Sequence, residues 1–287
     1  MKKKNLFAFV LLFCTFAFAF MSCKNDENET ADSAMLTATA SNETQASTIN
    51  DQLLSEVDTY VGTSMQSAAP FASVKATGLP TVTIENTGIA DGQIKYIINF
   101  GTEGFKGKHN NVMKGKLIVV IAIKNKLVDI SNPLFWVGAS RTITYDNFTF
   151  NGLKVSGTNT ISFSGWTNAQ HPYWEITGDN ILTLLDGRLI SWKSERRIEF
   201  TDVALLWGTN YIVTGKATGV NANGKSYSMI IKDTNPLTGS TTYPYVTKGT
   251  VTVTVGSSTG ILDYGDGLQD NKATMTYNGI IFPFEIK

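Results

Sequence analysis

Hydrophobic and polar positions divide the chain into four stretches with different periods. Lys2-Lys3-Lys4 leads into an apolar run from Leu6 to Phe20, with Thr15 its one polar residue. From Lys24 to about Thr48 the chain is Asn, Asp, Glu, Ser, Thr and Ala, with Met35 and Leu36 almost its only large apolar residues. Such a segment buries too little surface to offset its chain entropy, so residues 23–48 are expected to be a flexible tether. Ile49, Leu53, Val57, Tyr60 and Val61 then fall at helical spacing, with Thr48 or Asn50 as cap and Gly62 as stop. This predicts one short helix over residues 49–62 that docks on a sheet built from the later residues.

After Pro70 the period becomes 2 and stays there. Thr81–Ile84, Leu117–Ile123, Thr142–Tyr145, Thr160–Phe163, Tyr211–Thr214, Ser226–Ile231 and Thr250–Val255 are short runs rich in Ile, Val, Tyr and Phe, most of them alternating with Thr or Ser. That is the pattern of strands with one face wet. Between them lie Asp91-Gly92, Asn151-Gly152, Asp186-Gly187, Asn223-Gly224, Asp266-Gly267 and Asn278-Gly279. These pairs tolerate the positive φ of type I′ turns and so predict consecutive hairpins. No helical stretch separates the strands, which argues against βαβ units. Residues 70–287 are therefore expected to be an all-β domain, a long antiparallel meander curled into a partly open barrel or sandwich.

The N-terminal run reads as a secretory signal over residues 1–22: a basic start, an apolar region of about 15 residues, too short for a membrane span, and small residues before Cys23. Phe20-Met21-Ser22-Cys23 resembles the lipobox of bacterial lipoproteins, with Phe20 where that pattern prefers Leu. The resemblance implies that Cys23 becomes the first mature residue and carries the lipid; ordinary signal cleavage nearby is the alternative. Loss of Met1–Ser22 removes three lysines and no acid, leaving 21 basic residues against 24 acidic, a net charge of −3. That balance offers no footprint for nucleic acid. Cys14 leaves with the signal and Cys23 is acylated, so no mature disulfide is expected.

The start of the tether, Lys24-Asn25-Asp26-Glu27-Asn28-Glu29, resembles the acidic cluster after the lipidated cysteine of surface-exported Bacteroidetes lipoproteins, and Asp32-Ser33-Ala34 looks like a short O-glycosylation motif of that phylum. Ile98-Asn-Phe-Gly-Thr102, Lys114-Gly-Lys-Leu-Ile118, Tyr145-Asp-Asn-Phe148, Val155-Ser-Gly-Thr158, Ile190–Arg197, Thr214–Gly219, Lys248–Val253 and Asp263–Gly267 with Asp270–Thr274 resemble, in order, the segments of a Bacteroidetes lipoprotein family. The likeness spans residues 80 to 287. It implies an outer-membrane protein, facing the cell surface or alternatively the periplasm, and brings no established activity. Members carry cysteines near the positions of Phe105, Tyr243 and Gln269, so any disulfide the family implies has no counterpart here.

Three constellations carry candidate chemistry. Asp263, Asp266, Asp270 and Asn271 surround two glycines and have the composition of a Ca²⁺ loop, without EF-hand spacing; the alternative is a turn in which Asp and Asn bond their own backbone. Alternation in Ile190–Phe200 places Trp192, Arg196, Ile198 and Phe200 on one face and Lys193, Glu195 and Arg197 on the other. An inward Arg196 requires either a buried carboxylate or a ligand cleft. Trp136, Trp166, Trp174, Trp192 and Trp207, with Tyr173, offer platforms for sugar rings or act as core; His171-Pro-Tyr-Trp174, in an expected loop, forms the exposed patch. His109 and His171 are the only histidines and form no metal pair, and G-x-S-x-G, Walker and thiol nucleophile motifs are lacking. Two distant carboxylates meeting in a glycosidase site leave no local mark. The sequence thus points to a non-catalytic binding or structural lipoprotein with a glycan or surface protein as possible partner. A carbohydrate-binding module, a lipid-carrying half-barrel and a hydrolase are the alternatives.

Overall fold

The computed structural model describes residues 24–66, 80–85, 93–122, 139–202 and 210–286. One helix, α1 (Lys24–Gln66), precedes β1 (Thr81–Glu85), β2 (Gln93–Lys106), β3 (Val112–Ala122), β4 (Ser140–Phe150), β5 (Leu153–Trp166), β6 (Pro172–Thr183) and β7 (Leu189–Phe200). Then come β8 (Asn210–Val220), β9 (Ser226–Ile231), β10 (Leu237–Ser240), β11 (Lys248–Val255), β12 (Ser258–Asp266), β13 (Lys272–Tyr277) and β14 (Ile280–Glu285). All 14 strands join one antiparallel sheet in chain order, apart from one detail. β9 and β10 share a single place between β8 and β11, so they act as one strand interrupted at residues 232–236. The expected meander is present, curled into a ring of strands that is not a regular barrel.

Turn chemistry explains the register. Asn151-Gly152 and Asn278-Gly279 each hold positive φ at both residues and join their strands directly, as type I′ turns do. At Asp186-Gly187 and Asn223-Gly224 only the glycine is left-handed. There the amides of Leu184 and Asn221 donate to the carbonyls of Arg188 and Lys225, which makes longer loops with a glycine bulge instead of the expected type I′ turns. Asp266-Gly267 lies at the end of β12 ahead of a longer connection, and Asp91-Gly92 lies outside the described residues. Curvature comes from bulges, where the register of β3 with β4 slips between Lys114 and Lys116. Gly115 is left-handed there, and a Cβ on it would stand 2.2 Å from the Asn147 carbonyl oxygen.

The helix overturns the expected tether. α1 is 43 residues long and runs from Lys24 through Gly62, so residues 24–48 are helical and neither Thr48 nor Asn50 is a cap. Its buried positions, Leu36, Ala40, Glu43, Ala46, Asn50, Leu53, Val57 and Val61, recur every three or four residues from Leu36 to Val61. In the first half, however, that stripe is made of Ser33, Thr39, Ala40, Glu43 and Thr44 as much as of Leu36. Such residues read as solvated in a sequence, but here Ser33 and Thr44 bond carbonyls of their own helix and the β8–β9 turn meets Thr39 and Asn42. Thr39 accepts from Asn221 Nδ2 at 2.7 Å, and the Asn42 side-chain oxygen accepts from the Ala222 amide at 2.8 Å.

α1 lies inside the ring and divides its interior into two cores. Ile49, Leu53, Val57 and Val61 pack with Ile98, Leu117, Ile143, Phe148, Phe163, Trp174 and Ile190 from the first half of the sheet. Leu36, Ala40 and Ala46 pack with Trp192, Val213, Met229, Val253, Leu262 and Met275 from the second. Partly buried Ile198 and Tyr211 touch both. Among the described residues no helix is long and apolar enough to cross a membrane.

Leu36 and Leu53 are almost fully buried, at 0% and 1% exposure. Replacing either with alanine is expected to cost about 3 kcal/mol in urea unfolding. A silent Leu36→Ala alongside a costly Leu53→Ala would return the first half of α1 to a tether.

Candidate functional site

At the middle of α1 a buried charge is met from the sheet. Arg196 points inward, in phase with Trp192 and Phe200, and is 6% exposed. Its Nη2 and Nη1 donate to the two oxygens of Asp51 at 2.6 and 3.1 Å, a two-point pairing of guanidinium with carboxylate. The expected core carboxylate is therefore Asp51, supplied by α1. The guanidinium also lies 5.0 Å from the Trp192 ring centre, and the Trp192 indole N–H donates to Glu43 at 3.3 Å. Burial by itself would weaken Arg196 as a base, but the Asp51 carboxylate, joined by Glu43 once that group is ionised, outweighs it and holds the cation. Glu43 responds in the opposite sense. Burial raises its pKa from 4.5 to about 7, against the opposing pull of Arg196 and the Trp192 hydrogen bond.

Beside this pair, α1 and the sheet leave a cavity of about 130 Å³. Ile161, Trp174, Ile176, Ile198, Phe200 and Tyr211 form its sheet wall, and Leu54 faces them from the helix. Asp51, Gln52, Asp58, His109 and Arg141 supply polar groups, and residues 240–244 close one side. Arg141 is bound to Asp58 as Arg196 is bound to Asp51. Two ion pairs thus cross from strand to helix along the cavity, seven residues apart on α1, a spacing that puts both aspartates on one helix face. The wall is aromatic: Trp174 and Phe200 meet edge to face at 5.3 Å, as do Phe200 and Tyr211 at 6.0 Å.

The structure separates the residues singled out in the sequence. Trp174 lines the cavity, whereas Trp192 borders a second, smaller space of about 20 Å³ with Asn50 and Asn180. Tyr173 and Trp174 begin β6 and are not in a loop; their alternation with Ile176 and Leu182 drives Trp174 in and Tyr173 out. On the outer face Arg197 covers the Tyr173 ring at 3.9 Å and binds Glu199, which also meets His171 Nδ1 at 2.9 Å. Trp166 is 37% exposed and packs against Phe163, so among the described tryptophans it offers the open indole, outside the His171–Trp174 stretch expected to do so. Trp136, Trp207, Cys23 and residues 1–22 lie outside the described residues.

The acidic loop forms turns in the manner of the simpler sequence reading. Asp263, Asp266 and Asp270 each accept from the backbone amide two residues on, at 2.8, 3.4 and 3.0 Å. The Asn271 side chain instead donates to the Ile286 carbonyl. Among the described residues no three His, Cys, Asp or Glu side chains converge as a metal would need.

Sequence reasoning missed Arg141, Asp51 and Asp58. Arg141 stands in phase with Ile143 and Tyr145, so the alternation that turned Arg196 inward applies to it equally. The aspartates carry no such signal, because an acid at the edge of a helical stripe reads as solvated. Comparison of the chain with protein-family models, curated proteins and solved structures gave no match.

The central cluster generates two expected outcomes. The folded state holds Glu43 protonated up to about pH 7 while the unfolded chain releases that proton near 4.5. Stability from this group is thus complete below pH 4.5 and declines as pH rises to 7, by about 2–3 kcal/mol. Glu43→Gln should flatten that decline in urea titrations and be more stable than wild type at pH 8. Arg196→Ala should cost about 3–5 kcal/mol, since it strands Asp51. Arg196→Ala combined with Asp51→Ala should cost less than the two single changes together; strict additivity would mean that the pair does not interact.

Proposed function

We propose that the protein is a lipid-anchored envelope protein that binds a small ring-shaped ligand, without catalysis, in the cavity between α1 and the sheet. The observation that carries this reading is the cavity itself: an aromatic and aliphatic wall from the sheet, two ion pairs crossing beside it, and further polar side chains, Ser240, Thr241 and Tyr243, at its other side. Its volume of about 130 Å³ compares with a dry cavity of about 150 Å³ that accommodates benzene. The fit is one aromatic or sugar ring, and an acyl chain is disfavoured because α1 already fills the groove. Asp51 and Asp58 are each held by an arginine, which favours a recognition role over a pair of exchanging acids. The anchor reading rests on the basic start, the 15-residue apolar run and the lipobox-like Phe20-Met21-Ser22-Cys23. It implies an outer-membrane location with the body on the aqueous side.

Indole and methyl β-glucoside serve as probes for the two ring classes. At millimolar concentration one of them should raise the melting temperature of the wild type by mass action and leave an Ile176→Trp variant, whose cavity is filled, unaffected. If neither shifts the wild type, or the filled variant responds equally, the cavity is not the site. Labelled palmitate should enter the wild-type chain in cells and fail to enter Cys23→Ser.

A further inference from the structure

Three amide side chains are buried between α1 and the sheet. Alternation in β5 turns Asn159 inward with Ile161 and Phe163, and in β6 it turns Asn180 inward with Ile176 and Leu182. Asn50 comes from the helix, on the buried stripe between Ala46 and Leu53. Asn159, Asn180 and Asn50 are 1%, 8% and 3% exposed, so solvent completes none of their hydrogen bonds. The two strand amides form a chain with a direction. Asn180 Nδ2 donates to Asn159 Oδ1 at 2.8 Å, and Asn159 Nδ2 donates to Tyr145 Oη on β4 at 2.6 Å. Gly178, opposite Asn159, makes room for them: a Cβ there would stand 2.7 Å from Asn159 Oδ1 and 3.0 Å from Asn180 Nδ2. Every donor in the chain points toward β4. Its other end is therefore an acceptor, Asn180 Oδ1, to which no group among the described residues donates. Asn50 is in the same condition, with Nδ2 reaching Asp51 at 3.5 Å and Oδ1 without a donor.

A buried acceptor without a donor is unfavourable, because it has given up its bonds to solvent and gained none in exchange. Two amide oxygens cannot satisfy each other, since neither carries a proton. Asn50 and Asn180 line one common space of about 20 Å³, together with Tyr145, Trp192 and aliphatic side chains. A single water needs about 10–15 Å³. The space is far smaller than the cavity of about 130 Å³ on the Asp51 side of the helix, so it does not admit a ring. No carboxylate, lysine or arginine lines it, and a cation entering there would lose its hydration without meeting a counter-charge. Empty internal spaces have apolar walls, whereas this one carries two oxygens that need protons.

We infer that this space is a binding site for one water molecule, which donates one proton to Asn50 Oδ1 and the other to Asn180 Oδ1 and accepts from the Tyr145 hydroxyl. The Tyr145 oxygen already accepts from Asn159, which leaves its own proton for a further partner. Three hydrogen bonds are the usual complement of an internal water. The water joins α1 to β4 and β6 at the level of Trp192, whose ring lines the space and whose N–H donates to Glu43. It does for Asn50 what Arg196 does for Asp51, giving a buried polar group of the helix its partner on the sheet side. The site is independent of whether the larger cavity takes a ligand.

A high-resolution crystal structure of the full chain should show a single peak at about 2.5–3.0 Å from both Asn50 Oδ1 and Asn180 Oδ1. An empty space overturns the inference, as do amides turned so that Nδ2 of one meets the oxygen of the other. A peak ringed by six or more oxygens, the coordination of a hard cation, overturns it as well. In solution, oxygen-17 relaxation dispersion counts the waters that a protein holds for longer than its surface does. Asn50→Met removes one acceptor and extends a longer side chain into the space, so the folded variant should hold one such water fewer than the wild type. An unchanged count in that variant sinks the proposal, and if the variant does not fold the wild-type density decides alone.

Discussion

A guanidinium inside a ring of strands is the constraint that organises this molecule. β7 turns Arg196 inward because its phase is set by Trp192 and Phe200, and an unpaired charge there would cost more than the neighbouring apolar contacts return. A carboxylate has to reach it from inside the ring, and α1 provides one in Asp51. The helix that brings Asp51 also fills the space that a sheet of 14 strands encloses. It therefore serves at once as counter-ion and as core. Both apolar clusters are built on α1, and the side chains that touch both, Ile198 and Tyr211, stand on β7 and β8 beside the ion pair.

The legible part of this architecture was the part written in period 2. The alternation of Thr and Ile, with Asn-Gly between runs, specifies antiparallel hairpins because each strand has one wet face and each turn needs a left-handed residue. The same alternation correctly placed Arg196 among Trp192, Ile198 and Phe200. What failed was the helix between residues 24 and 48. Its buried stripe holds Thr39, Glu43 and Thr44, and no local rule distinguishes a threonine facing water from one bonded to an asparagine 182 residues away. Burial of polar groups is a property of the partner, and the partner here is remote in sequence. Tyr173 and Trp174 failed for a related reason. His171-Pro172 reads as a break, yet proline opens a strand without loss of a ladder bond that the strand needs.

The cavity inherits its chemistry from the same geometry. It lies where strand-borne arginines cross to helix-borne aspartates, and the space between the two pairs is walled by the aromatic residues of β6, β7 and β8. The polar groups were thus fixed by the need to neutralise Arg141 and Arg196. The space therefore presents an apolar wall on the sheet side and, at the ion pairs, side chains whose rotamers are already fixed.

The polar stripe of α1 does something that a leucine stripe would not. Apolar contacts are tolerant of sliding, since one methyl group replaces another, whereas each buried polar side chain accepts a limited set of partners. Along α1, Asp32 meets Ser258 and Tyr277, Asn42 meets the Ala222 amide, Glu43 meets Trp192 and Asp51 meets Arg196. A shift of one helical turn, about 5.4 Å, would break all of these together and strand Arg196 without its carboxylate. Rotation by one residue would do the same, because it moves each group about 100° round the axis. The helix is thereby locked in both depth and rotation. That lock is what sets how far its first turn projects from the rim of the sheet.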